Sequence, residues 1–251
     1  MLWPFILHSF KANVWRLEID SLTDTIFIET RDPADKKVFF SSISLKTGKV
    51  NFKDIQTEER WLTGIECGYD GVLLLHNYQS ESAPTHKGLI ALDAFTGALL
   101  WQNFNLAFDH LSISGPVIYD TRLQPPKMMT GDIRSGNMLR KYEPLADLEL
   151  ANFFAFPSDA EPELIPSFHL PVHPLENTVH YLDHNNLRIV SLHAIAEGTL
   201  QQRLYIMKNS EMVYEDLLND YIQKLQPESF LLHKSQLIYL KDRSQLKVLT
   251  L

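Results

Sequence analysis

Apolar and polar positions alternate in short runs through most of this chain, and the runs come in groups. The clearest group opens with the turn Asp70-Gly71 and the apolar run Val72–Leu75, continuing to Tyr78. A second run follows at Gly88–Asp93, then a tight turn at Thr96-Gly97, then Ala98–Trp101. Runs of four to eight such residues bounded by Gly, Asp and Asn predict strand, loop, strand, turn, strand. An earlier group runs Asp24–Thr30, Val38–Ser44, Thr47-Gly48 and Lys49–Phe52, with its Thr-Gly pair 49 residues before the next one. A third places Ser135-Gly136 between Lys127–Asp132 and Asn137–Tyr142. Two later groups keep the rhythm with other turns: Thr178–Leu182, Leu187–Leu192, Glu197-Gly198 and Leu200–Ile206, then Ser229–His233, Gln236–Leu240 and Leu246–Leu251. Repetition at this period predicts an all-β chain built from similar units.

The turn has a physical explanation. Glycine supplies a positive φ without steric cost, and the side chains of Asp93 and Thr96 bond neighbouring backbone N–H groups. Trp101, four residues past Gly97, offers a large ring for packing between sheets. Asp93, Thr96 and Trp101 are therefore read as structural. The segment Leu89–Trp101 resembles the tryptophan-containing, pyrroloquinoline-quinone-like repeat of quinoprotein-type β-propellers, with a partial copy at Ser44–Gly48. The resemblance implies a small β-propeller of about five blades, or six short ones, from a bacterial family, with residues 1–251 forming one domain. It implies no cofactor, because no cofactor-contacting residue carries over and quinone-dependent dehydrogenases resemble much longer chains. A two-sheet sandwich of the same strands is the structural alternative.

Closure of the ring is expected from pairing Val14–Ile19 with Leu246–Leu251, which removes two exposed edges. Two stretches depart from the pattern. Between Leu145 and Pro174 the prolines 157, 162, 166, 171 and 174 crowd among acidic residues, which predicts an edge, a long loop or an insertion. Over 210–225, Val213, Leu217, Leu218, Tyr221, Ile222 and Leu225 recur at helical spacing behind Ser210 as a cap and ahead of Pro227. This predicts one inserted amphipathic helix.

Composition narrows the partners. With 31 acidic against 23 basic residues, the net charge of −8 disfavours nucleic acid and anionic membranes. No stretch approaches a membrane span, and the short apolar start, broken by Pro4, lacks the charged region of a secretory signal. The expected location is the cytoplasm, or the periplasm if a leader has been removed. The one cysteine, Cys67, excludes an intrachain disulfide and reads as a small core residue.

The chemistry is sparse. Ten histidines invite a metal reading. His169 and His173, however, flank Pro171 and would lie about 13 Å apart in an extended chain. His180, Asp183 and His184 converge only if their hairpin brings them together. No nucleophile elbow or phosphate-cradling glycine loop is present. The sequence therefore assigns no catalytic, cofactor-binding or metal residues. The favoured expectation is a non-catalytic, monomeric binding module for a protein, peptide or glycan. One alternative is a small hydrolase or lyase acting on a sugar or lactone, with Asp70, Asp120, His76 and His180 as channel liners. The other is a periplasmic scaffold resembling the propeller lipoprotein of outer-membrane assembly.

Overall fold

The computed structural model describes residues 2–165, 170–226 and 229–251. Expectations resting on Pro166, His169 and Pro227 lie outside the described residues. The described residues are all-β, with two short 3-10 turns, and form five antiparallel sheets rather than the two of a sandwich. It divides into two compact units, Ala12–Asn152 and Met1–Lys11 with Phe153–Leu251. No helix among the described residues is long and apolar enough to cross a membrane.

In the second unit the chain opens with β1 (Pro4–Ser9), which is the edge strand of a sheet completed by the end of the chain. In the first unit three four-stranded meanders follow in chain order. The first contains β2 (Asn13–Asp20), β3 (Thr25–Asp32), β4 (Lys37–Ser44) and β5 (Val50–Ile55). The second contains β6 (Thr63–Tyr69), β7 (Val72–Ser80), β8 (Ala83–Asp93) and β9 (Leu99–Asn103). The third contains β10 (Leu106–Ser112), β11 (Gly115–Asp120), β12 (Met129–Gly131) and β13 (Met138–Lys141).

The apolar run of β7 is continuous because both of its faces are covered. Leu73 and Leu75 pack with Phe27, Phe40 and Phe52 of the first sheet. Val72 and Leu74 pack with Leu106 and Ile118 of the third. Strand periodicity of two thus divides one run between two cores.

The three predicted turns are structurally equivalent. Gly48, Gly97 and Gly136 each have φ +72. Their N–H groups donate to the carbonyls of Ser44, Asp93 and Asp132, at 2.8, 2.8 and 2.9 Å. Asp93 Oδ1 also accepts from the N–H and the hydroxyl of Thr96, and Asp132 Oδ1 does the same for Ser135. The bare Cα faces of Gly97 and Gly136 leave room for a ring from the preceding sheet. Phe52 lies against Gly97, and Trp101 lies against Gly136 while its Nε1 donates to the Ile133 carbonyl at 2.8 Å. Asp20 adds a polar link, its Oδ2 accepting from Gly71 N–H at 2.8 Å. In the third sheet Arg140 takes the place of the ring and pairs with buried Asp147.

The other unit holds two five-stranded sheets. One contains β14 (Phe154–Ala155), β20 (Phe230–His233), β21 (Gln236–Lys241), β22 (Gln245–Thr250) and β1. The other contains β15 (Ser158–Ala160), β16 (Val179–His184), β17 (Leu187–Ala196), β18 (Thr199–Lys208) and β19 (Glu211–Asn219). The proline-rich region thus contributes two short edge strands, β14 and β15, and the 3-10 turn Pro162–Leu164.

Two expectations are corrected. The strand that pairs with the end of the chain is β1, with Ile6 opposite Val248, whereas Val14–Ile19 lies in β2. Ile6 is buried between exposed Phe5 and Leu7, the alternation of an edge strand, and Pro4 sits at its first position, where a missing donor is tolerated. The inserted helix over 210–225 is absent, and residues 211–219 form β19. Ser210 is not a helix cap: with Asn209 it forms a two-residue hairpin turn, at φ +69 and +49. The register of β19 slips twice against β18, leaving Val213 and Leu218 as extra residues. Each bulge resets the strand alternation, so apolar positions recur at intervals that imitate a helix.

Candidate functional site

A compact polar cluster lies where the middle of the second sheet meets β3. Glu66, His76 and His86 come from the three adjacent strands β6, β7 and β8. A bulge between Ile65 and Cys67 makes Glu66 the extra residue of β6. Tyr78 pairs directly with His86, and Gly64 pairs with His76. Glu66 Oε2 lies 3.0 Å from His76 Nδ1 and 2.9 Å from His86 Nδ1. The two imidazoles stack with centroids 3.5 Å apart and planes 7° from parallel. Tyr78 meets both edge-on.

His76 is 1 % exposed, and neither of its nitrogens has a hydrogen-bond partner among the described residues. Its Nδ1 is therefore close to the Glu66 carboxylate but out of line for a hydrogen bond. Gly64 makes room for the ring: a methyl there would stand 3.2 Å from His76 Nε2 and from Glu29 Oε2. Burial lowers His76, more than the neighbouring carboxylate raises it, and so favours the neutral imidazole. For Glu66 burial acts upward, but His76 and His86 together outweigh it and hold the carboxyl below its ordinary value.

A second layer surrounds these residues. Buried Glu29 accepts from Arg31 Nε at 2.7 Å and from Ile65 N–H at 2.8 Å. Arg31 donates to the Thr63 carbonyl at 2.7 Å, and its guanidinium lies 5.1 Å from the Trp61 ring centre and 5.9 Å from that of Tyr78. Arg16 donates to the Glu66 carbonyl at 3.0 Å. Cys67 is buried in the core, as the sequence implied, and burial pushes its thiol well up.

A groove of about 710 Å³ opens on the same unit. Residues 55–59, from the last residue of β5 onward, form one side, and Leu99, Gln102 and Phe104, on and beside β9, form the other, above Ile90 and Leu92. β9 is the last strand of its sheet. Leu99 and Phe104 are 55 % and 48 % exposed. Glu59 accepts from the N–H groups of Trp61 and Leu62, which lower its carboxyl and keep it ionised at the groove lip.

The four residues suggested as channel liners have separate surroundings. His76 belongs to the cluster above. Asp70 occupies the β6–β7 turn, where its carbonyl accepts from Arg134 at 2.8 Å. Asp120 pairs with Arg122, which holds its carboxyl down at about 2. In the other unit, His180 lies 3.6 Å from Asp159 and edge-on to His193. Asp183 and His184 stand near the Asn185-Asn186 turn, where His184 Nε2 contacts the Asn185 amide at 2.8 Å. Sequence spacing missed Glu66 and His86 because a bulge and two hairpins bring them to His76. The available signal was the flanking Gly64 and Gly88, which mark a close approach and a bulge.

A family model described as "Domain of unknown function (DUF4905)" matches residues 19–101, a stretch that includes Glu29, Glu66, His76 and His86. Among curated proteins none matches. Among solved structures the chain is similar to BamB from Moraxella catarrhalis, at 9 % identity and TM-score 0.31, covering 94 % of this chain and 84 % of that one. It is also similar to the uncharacterized protein lmo1340 from Listeria monocytogenes EGD-e, at 9 % identity and TM-score 0.34, covering 95 % and 77 %. A third is the Dos1 propeller, at 8 % identity and TM-score 0.27, covering 99 % and 95 %. Likenesses this weak carry no argument about fold or function.

Proposed function

We propose that the chain is a single β-propeller domain over 1–251, its five sheets serving as blades, and that it acts as a non-catalytic binding module for an extended protein or peptide segment. The three equivalent turns at Gly48, Gly97 and Gly136, the last two each taking a ring from the preceding sheet, support the blade reading and the quinoprotein-type repeat. The observation that carries the binding reading is the groove beside β9. An edge strand offers backbone donors and acceptors to an added strand, and neighbouring apolar side chains give that strand its specificity. Exposed Leu99 and Phe104 supply the apolar contacts, and Glu58 and Glu59 favour a segment carrying lysine or arginine. The cytoplasm is the proposed setting.

The test is a displayed library of random peptides selected on the intact chain, with affinities of the selected peptides then measured by calorimetry. Leu99→Lys is expected to weaken them by about tenfold or more, a loss of about 1.4 kcal/mol. Leu139→Lys, on the exposed edge strand β13 of another sheet, should leave them unchanged. Peptides that bind both variants and the wild type equally would overturn the assignment.

A further inference from the structure

We propose that Glu66, His76 and His86 form a binding site for a divalent transition-metal ion of the zinc type. One donor atom from each residue, the Glu66 carboxylate oxygen and a nitrogen of each imidazole, lies within 4.8 Å of the other two. The 3.0 and 2.9 Å separations from Glu66 Oε2 to the two Nδ1 atoms are shorter than the edge of a tetrahedron, about 3.4 Å for ligand bonds of about 2.1 Å. The two rings are stacked in parallel, so the part-exposed His86 ring has to turn out of the stack to aim its lone pair at a shared ion. Two imidazoles and one carboxylate form a donor set that suits zinc, cobalt or nickel better than calcium or magnesium, which take oxygen cages.

A second observation points the same way. His76 is almost fully buried, and its Nδ1 faces the cluster without a hydrogen-bond partner among the described residues. An unsatisfied buried nitrogen destabilises a folded protein. A metal bond would satisfy it, and Gly64 leaves the ring the room to stay there. The surrounding layer resembles the support that metal ligands need: Arg16 holds the Glu66 carbonyl, and Tyr78 packs edge-on against buried His76. The His86 side chain is 35 % exposed, so one side of the site is open to solvent. Three protein ligands with an open fourth position are the arrangement of an exchangeable or ligand-binding metal rather than a closed structural one. The assignment does not depend on the groove beside β9.

The experiment uses the intact chain, stripped with a chelator and then titrated with zinc chloride by calorimetry, and separately with cobalt chloride by visible absorption. One zinc per chain is expected, together with the intense visible bands of four-coordinate cobalt. Glu66→Gln and His86→Ala should each weaken zinc by about 100-fold or more. His173→Ala, at an exposed histidine of the other unit, should have no effect. The cobalt spectrum of the wild type needs no variant, so it still decides the matter if a substitution unfolds the chain. Absence of one-to-one zinc binding, six-coordinate cobalt bands, or zinc affinity unchanged in folded His86→Ala would overturn the site.

Discussion

At the residue scale, the most informative positions are glycines that do different work. A methyl added at Gly136 would lie 2.6 Å from Trp101 Cδ2, whereas at Gly198 no atom lies within 4 Å. Both have positive φ, +72 and +78, so alanine strains the backbone similarly at each. Gly198→Ala is expected to cost about 1 kcal/mol from the backbone alone. Gly136→Ala should cost about 3 kcal/mol, because overpacking against the indole is added. Urea unfolding of the two variants measures the difference, and equal losses would remove the indole from the account. The Thr-Gly and Ser-Gly pairs and Trp101 were legible in the sequence, because turn chemistry is local. Glu66 and His86 were not, since a carboxylate and an imidazole 20 residues apart meet only through strand register.

Among elements, β19 shows how a strand imitates a helix. Its two bulges shift Val213 and Leu218 out of register, and the resulting spacing outweighed the turn signal in Asn209-Ser210. Ser210→Gly distinguishes the two structures. In the hairpin turn it relieves a positive φ and should raise stability by about 0.5–1 kcal/mol; at a helix cap it would lower it by a few tenths. The same strand carries Asp216, which accepts from the Tyr239 hydroxyl at 2.8 Å and pairs with Lys241 at 3.0 Å and with Lys247. Burial alone would raise this carboxyl, but Lys247, Tyr239 and Lys241 hold it below its ordinary value. A depressed carboxyl stabilises the fold above the unfolded value of about 3.9, and that stability fades as pH falls through the folded value. Asp216→Asn should therefore cost about 2–3 kcal/mol at pH 7, with the gap to wild type closing as the pH approaches 2. Denaturant titrations across that range test this, and a gap independent of pH would contradict it.

For the whole molecule, five groups of alternating runs became five sheets, because each run is bounded by its own turn and needs no distant partner to be recognised. The closing partner was harder to read. β1 opens as an unbroken apolar run, Pro4–Leu7, whereas Val14–Ile19 alternates, and only three-dimensional pairing places the former on β22. The groove was not legible either, since it joins the 55–59 segment to β9 across two sheets. The central claim is that this groove takes an added strand. Hydrogen exchange read by mass spectrometry, on the chain with and without a selected peptide, tests it most directly. The account predicts new protection at Leu99–Asn103 and over 55–59, with β13 unchanged. Protection that appears elsewhere and leaves β9 exchanging as in the free chain would contradict it.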